Sequence, residues 1–129
     1  MEKNLKGNET ILLVDDEETI IDIIGMALKM FGYRVVFARG GEEAIQTYRS
    51  LKDQIALVIL DLLMPKMNGA RVFAILKEIN PAVKVLLTSG YNYDEDAARL
   101  IDRGGDGFIQ KPFGVKELAQ KIREILDRK

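Results

Sequence analysis

The stretch Gln54–Asp61 reads QIALVILD. Every position from Ile55 to Leu60 is apolar, and the run ends on a carboxylate. A strand with one wet face alternates polar and apolar residues, so the unbroken run predicts a strand over Gln54–Leu60 covered on both faces. Sheets of that kind are parallel, with helices packed above and below. In such open sheets ligands bind outside the carboxyl ends of the strands. Asp61 stands at one of those ends.

Downstream, Met64–Gly69 (MPKMNG) is rich in turn residues, and Val72, Leu76 and Ile79 follow at helical spacing as far as Asn80-Pro81. Val83–Thr88 (VKVLLT) predicts a further strand and Asp94–Asp102 a helix. Gly104–Gly107 makes a tight connection to a short strand, Phe108–Gln110. The last helix carries an apolar stripe of Val115, Leu118, Ala119, Ile122, Ile125 and Leu126. Upstream, Thr10–Val14 (TILLV) predicts the first strand, and Ile20, Ile21, Ile24, Leu28 and Phe31 a helix with Gly32 at its C-cap. Tyr33–Ala38 is β-rich, and Gly40–Gly41 opens a helix with Ala44, Ile45 and Tyr48 on one face. The pattern is (βα)5, a doubly wound parallel five-stranded α/β sheet over residues 10–129 behind a polar leader, residues 1–9.

Composition removes whole classes of chemistry. The 129 residues include no cysteine and no histidine. Disulfides, thiolate nucleophiles, imidazole bases and a Ser-His-Asp triad are therefore excluded, and any metal must be a hard cation held by oxygen: Mg²⁺, Mn²⁺ or Ca²⁺. Basic and acidic residues number 19 and 20, a net charge of −1, so no basic excess points to nucleic acid or an anionic membrane. The longest apolar runs, Ile11–Val14 and Ile55–Leu60, fall far short of the roughly 20 residues that span a bilayer. The N-terminal MEKNLKGNE lacks the apolar core of a secretory signal, and a reducing, cytoplasmic compartment is expected.

Other strand ends carry chemistry as well. Asp15 and Asp16 follow the first strand, Thr88 and Ser89 close the fourth, and Lys111 follows the fifth. Carboxylates crowded on one rim repel each other unless a cation joins them, and a divalent metal resolves the conflict. Carboxylates, metal, a lysine and a hydroxyl together suit phosphoryl transfer, with Asp61 as the nucleophile between the acidic pair and the lysine. Each residue taken alone has a plainer reading: Asp15–Asp16 or Thr88–Ser89 as helix caps, Asp61 as a turn residue, Phe108 as core. A P-loop is absent, and a dehalogenase-type phosphatase needs an acid where Leu63 stands.

In order along the chain, LLVDDE (Leu12–Glu17), LDLLMPKMNG (Leu60–Gly69), LLTSGY (Leu86–Tyr91) and QKPF (Gln110–Phe113) resemble the receiver (response-regulator) domain of two-component signalling. The run from GNETILLVDDE to LAQKIREILD is similar to receivers at the C-terminus of hybrid sensor histidine kinases. The resemblance implies a flavodoxin-like strand order 2-1-3-4-5, with Asp61 as phosphoacceptor for a phosphoryl group from a sensor histidine kinase or histidine phosphotransfer domain. It further implies Mg²⁺ (Mn²⁺ substituting) on Asp15, Asp16, Asp61 and the Leu63 carbonyl. Lys111 would pair with the phosphoryl group ahead of a cis Pro112, and Ser89 and Phe108 would be the switch residues. Such a domain catalyses its own phosphorylation and dephosphorylation, without separate substrate turnover. Leu63 and Tyr91, at the positions that tune hydrolysis in this family, imply a slow loss of the phosphoryl group. A homodimer through the fourth helix, fifth strand and fifth helix is a further implication. The alternative is a degenerate receiver, an interaction module independent of phosphorylation.

Overall fold

The computed structural model describes residues 5–64, 68–90 and 93–128. Five strands and five helices alternate: β1 (Thr10–Val14), α1 (Glu18–Met30), β2 (Arg34–Ala38), α2 (Gly41–Leu51), β3 (Ile55–Asp61), α3 (Gly69–Ile79), β4 (Val85–Ser89), α4 (Glu95–Asp102), β5 (Gly107–Gln110) and α5 (Val115–Leu126). The strands form one parallel sheet in the order β2-β1-β3-β4-β5.

The apolar run in β3 fills two cores at once. Val58 and Leu60 join Leu12, Val14, Val85 and Leu87 against α2, α3 and α4. Leu57 and Ile59 join Ile11, Leu13, Leu86 and Ile109 against α1 and α5. Successive side chains of a strand point to opposite faces, so only a strand without alternation can serve both cores. Each such fully buried side chain contributes about 1.5–3 kcal/mol of transfer free energy.

Element ends differ from the sequence expectation by one or two residues, for identifiable reasons. β3 continues through Asp61 because Asp61 pairs with Thr88 and the Leu62 N–H donates to the Thr88 carbonyl. Gln54 is excluded because its N–H turns back to the Leu51 carbonyl. β4 starts at Val85, two residues later than expected, since the Val83 N–H closes a turn onto Asn80. Tyr33 precedes β2, Gly107 joins β5, and Asp94 is the N-cap of α4. Gly32 ends α1 in the left-handed region (φ 101°), as its C-cap position predicts.

Glu9, just ahead of β1, is held onto the body. Arg123 of α5 donates to both oxygens of Glu9 at 2.9 and 3.1 Å and to the Tyr33 hydroxyl at 3.1 Å. On the far side, the buried Tyr48 hydroxyl of α2 accepts from the Asn80 amide at 3.0 Å, fixing the exit of α3.

The chain reverses direction across the sheet between β1 and β3, and there the ligand crevice of a doubly wound sheet opens. The loop after β3 is set by Gly69, the first residue of α3, whose N–H donates to the Leu62 carbonyl at 3.1 Å. A β-carbon there would lie 2.5 Å from Leu62 Cα and 2.8 Å from the Asp61 carbonyl oxygen, both backbone atoms that cannot swing aside. Gly69→Ala is therefore expected to destabilise the fold by about 1–3 kcal/mol, read as a lower urea midpoint at unchanged m-value.

Candidate functional site

Asp15 leaves β1 still in strand geometry, its N–H donating to the Ala38 carbonyl at 3.1 Å, which keeps the side chain inside the rim. Its Oδ1 accepts the Glu17 N–H at 2.9 Å and its Oδ2 accepts Lys111 Nζ at 2.7 Å. Asp61, the last residue of β3, accepts the Leu63 N–H at 3.1 Å on Oδ1 and faces Lys111 Nζ at 3.4 Å with Oδ2. Asp15 and Asp61 are each only 2% exposed, whereas Asp16 projects to solvent. Ligand oxygens of Asp15, Asp16 and Asp61 all lie within 4.8 Å of one another. Lys111 is carried by the end of β5, where its N–H donates to the Ser89 carbonyl at 2.8 Å, and the Lys111-Pro112 bond is cis.

Electrostatics follow from burial. Loss of solvent pushes the Asp61 carboxyl up to about 6; the Leu63 N–H and the Lys111 charge oppose that rise, and the Asp15 charge adds to it. Burial alone would lower the Lys111 ammonium. The hydrogen bond to Asp15 and the charges of Asp61, Asp15 and Glu17 outweigh it and hold the group above its ordinary value. One cation thus serves two buried carboxylates, with Asp16 and Glu17 adding negative charge at the mouth. The donors are all oxygen and too few to enclose an ion. That arrangement fits Mg²⁺, which keeps several waters and shares its shell with phosphate.

Asp15, Asp16, Asp61, Lys111 and Ser89 are therefore brought to one rim from four strand ends. One detail differs from expectation. Lys111 Nζ sits between the two buried carboxylates, reaching past the nearer strand β3 to lie closer to Asp15 than to Asp61. The capping alternatives do not hold: α1 has Glu17 at its N-cap with no side-chain cap bond, and Asp94 caps α4 through the Ala97 N–H. Phe108 lies apart from the carboxylates, half-buried against the α2–α4 core and in edge contact with Tyr93. Leu63 is half exposed at the rim. Tyr91 and the Pro65–Met67 part of the loop fall outside the described residues. Sequence reading passed over Glu17, 3.7 Å from Lys111, although LLVDDE contains it. It also passed over Tyr93, which carries no motif signal.

Residues 11–123 match the family described as response regulator receiver domain. The chain belongs to that family. Among similar proteins, sensor kinase CckA of Brucella abortus is 34% identical over 97% of this chain and 13% of its own length. The probable transcriptional regulatory protein TcrX of Mycobacterium tuberculosis is 34% identical over 92% of this chain and 50% of its own. The chain thus spans a small part of the kinase and about half of such regulators. A receiver domain protein from Clostridium thermocellum superposes with a TM-score of 0.88 at 28% identity, over 93% of this chain and 95% of that one. CheY in the CheX-CheY-BeF3-Mg²⁺ complex from Borrelia burgdorferi gives 0.86 at 25%, over 91% and 88%. Receiver domains act in two-component signalling with histidine kinases or phosphotransfer partners and bind Mg²⁺ at an acidic cluster like this one. Among the described residues no helix is long and apolar enough to cross a membrane.

Two measurements check the charge balance. An acid whose folded value, about 6, lies above its ordinary 3.8 leaves the metal-free protein least penalised below pH 3.8. Stability is then lost as pH rises through about 6. In EDTA, Asp61→Asn is expected to raise the melting temperature at pH 8, with the gain shrinking as pH falls from 6 toward 3.8. Excess Mg²⁺ is expected to raise the wild-type melting temperature by mass action, and Asp16→Ala to remove most of that rise.

Proposed function

We propose that this receiver takes a phosphoryl group from a partner's phosphohistidine onto Asp61 and changes conformation in response. The observation that carries the reading is the pair of buried carboxylates sharing Lys111 beside an exposed third acid. That arrangement supports Asp61 as the nucleophile, Lys111 as the phosphate-binding cation and the three carboxylates as a cation-binding group. Asp15, Asp16, Asp61 and the Leu63 carbonyl would hold Mg²⁺, or Mn²⁺ in its place, and the ion would supply charge neutralisation for the transferring group. Asp61 Oδ2 attacks phosphorus as the imidazole nitrogen leaves. Lys111 then moves its hydrogen bonds toward the new phosphoryl oxygens, and the Ser89 hydroxyl approaches the same group.

The receiver unit runs from Thr10 to the end of the chain, with residues 1–9 as its leader, in a cytoplasmic setting. The α4–β5–α5 face pairs two copies, and this chain makes no nucleic-acid contact. Hydrolysis of the acyl phosphate needs a water aligned opposite the leaving carboxylate oxygen. Leu63 is an apolar side chain at the rim that holds no such water, which supports a long-lived phosphoryl group.

The test is mass spectrometry after incubation with acetyl phosphate. A single phosphoryl addition is expected with Mg²⁺ and none in EDTA, and Asp61→Asn abolishes it. An unmodified wild type would favour the phosphorylation-independent module. Wild-type phosphoprotein is expected to persist well beyond seconds. Leu63→Asn combined with Tyr91→Glu is expected to speed its loss by at least about tenfold, near 1.4 kcal/mol of barrier.

A further inference from the structure

Tyr93 and Phe108 meet at the edge of the sheet. Their ring centroids are 5.4 Å apart with planes at 64°, an edge-to-face pair. Tyr93 is 52% exposed, an unusual setting for an aromatic ring, and only part of that ring is used in the contact. Its backbone immediately precedes Asp94, the N-cap of α4, whose side chain accepts the Ala97 N–H at 2.9 Å and whose carbonyl accepts the Ala98 N–H at 2.9 Å. Tyr93 is thus anchored to α4, whereas Phe108 belongs to β5.

Phe108 pairs with Leu87, so it lies on the same sheet face as Ser89, one side-chain step from the buried switch hydroxyl. If Ser89 is drawn toward a group on Asp61, the space it leaves lies on the sheet face that also carries Phe108. Movement of Phe108 into that space takes it away from the exposed ring at the edge. A contact biases an equilibrium only by the difference it makes between the two states, so one lost when Phe108 moves would favour the arrangement that keeps it.

We propose that Tyr93 is a positioning residue for the conformational response: its ring holds Phe108 in the unphosphorylated arrangement, and breaking that edge contact is part of switching. The proposal rests on the reading that a phosphoryl group on Asp61 draws Ser89 inward. The ring carries the effect, so Phe is expected to replace Tyr at position 93.

The experiment compares wild type, Tyr93→Ala and Tyr93→Phe. In the protein without additions, ¹³C-labelled phenylalanine spectra should show the Phe108 ring shifted and broadened in Tyr93→Ala and as in wild type in Tyr93→Phe. In excess Mg²⁺, a titration with beryllofluoride, the phosphoryl mimic, should reach half-saturation at about three- to tenfold lower concentration in Tyr93→Ala, the size of one lost aromatic contact. Tyr93→Phe should match wild type, and the affinity for Mg²⁺ alone should be the same in all three. An unchanged half-saturation in Tyr93→Ala overturns the proposal whatever the ring spectrum shows. So does a Tyr93→Phe variant that behaves like Tyr93→Ala. Wild type that binds no beryllofluoride overturns the Asp61 reading itself, and the Phe108 spectrum then decides whether Tyr93 holds that ring at all.

Discussion

Lys111 is shared between Asp15 at 2.7 Å and Asp61 at 3.4 Å, two carboxylates withdrawn from water at the open edge of the sheet. Taking charges out of water costs several kcal/mol per ion after relaxation, and one ammonium cannot return that cost for two carboxylates. The upward shift of Asp61 expresses the deficit. A site with this imbalance is poor as a structural ion pair and well suited to receiving positive charge. Its instability is what gives it affinity, because whatever neutralises the rim stabilises the folded state as well.

The rest of the molecule is arranged so that this rim cannot relax. The two cores on either side of β3 hold the Asp61 backbone between β1 and β4, and Gly69 packs against the Asp61 carbonyl closely enough to exclude a side chain. Asp15 is held by the strand bond to Ala38, and Lys111 by its bond to Ser89. Close-packed interiors are stiff, so the carboxylates stay near each other despite their repulsion. The strain is local, and the large apolar sheet offsets it.

Much of this was legible in the sequence because the determining features are periodic or positional. The unbroken apolar run of β3 specified a sheet covered on both faces, and strand ends located Asp15, Asp61, Ser89 and Lys111 on one rim. Less legible was the difference between Asp15 and Asp16, adjacent and chemically identical. It depends on one further strand hydrogen bond, which turns the first inward and leaves the second in water. Glu17, whose N–H donates to Asp15, comes within 3.7 Å of Lys111, a proximity that no periodicity in the sequence signals. The Tyr93–Phe108 contact depends on a loop conformation that has no period, and residue type alone gave no sign of it. Local pattern encodes the elements; the turns between them set the last few ångströms.

Those last ångströms also determine how a change at the rim travels. Ser89 and Lys111 are joined through the backbone, N–H to carbonyl at 2.8 Å, where β4 and β5 end. Any displacement of Ser89 toward Asp61 therefore loads β5 directly, and the next side chain on that face of β5 is Phe108. Phe108 in turn touches both the α2–α4 core and the ring anchored ahead of α4. The link from carboxylate to outer surface is short because it crosses only two strand pairs, β3–β4 and β4–β5. Packed elements of this kind shift between discrete arrangements more readily than they deform, so under the proposed function a small movement at Ser89 would be expressed as a repacking at the α4–β5 edge. β5, like β2 on the other side, has no further strand beyond it among the described residues. A rearrangement at β5 would have fewer strand neighbours to disturb than one at the central β1 and β3, whose ends carry Asp15 and Asp61.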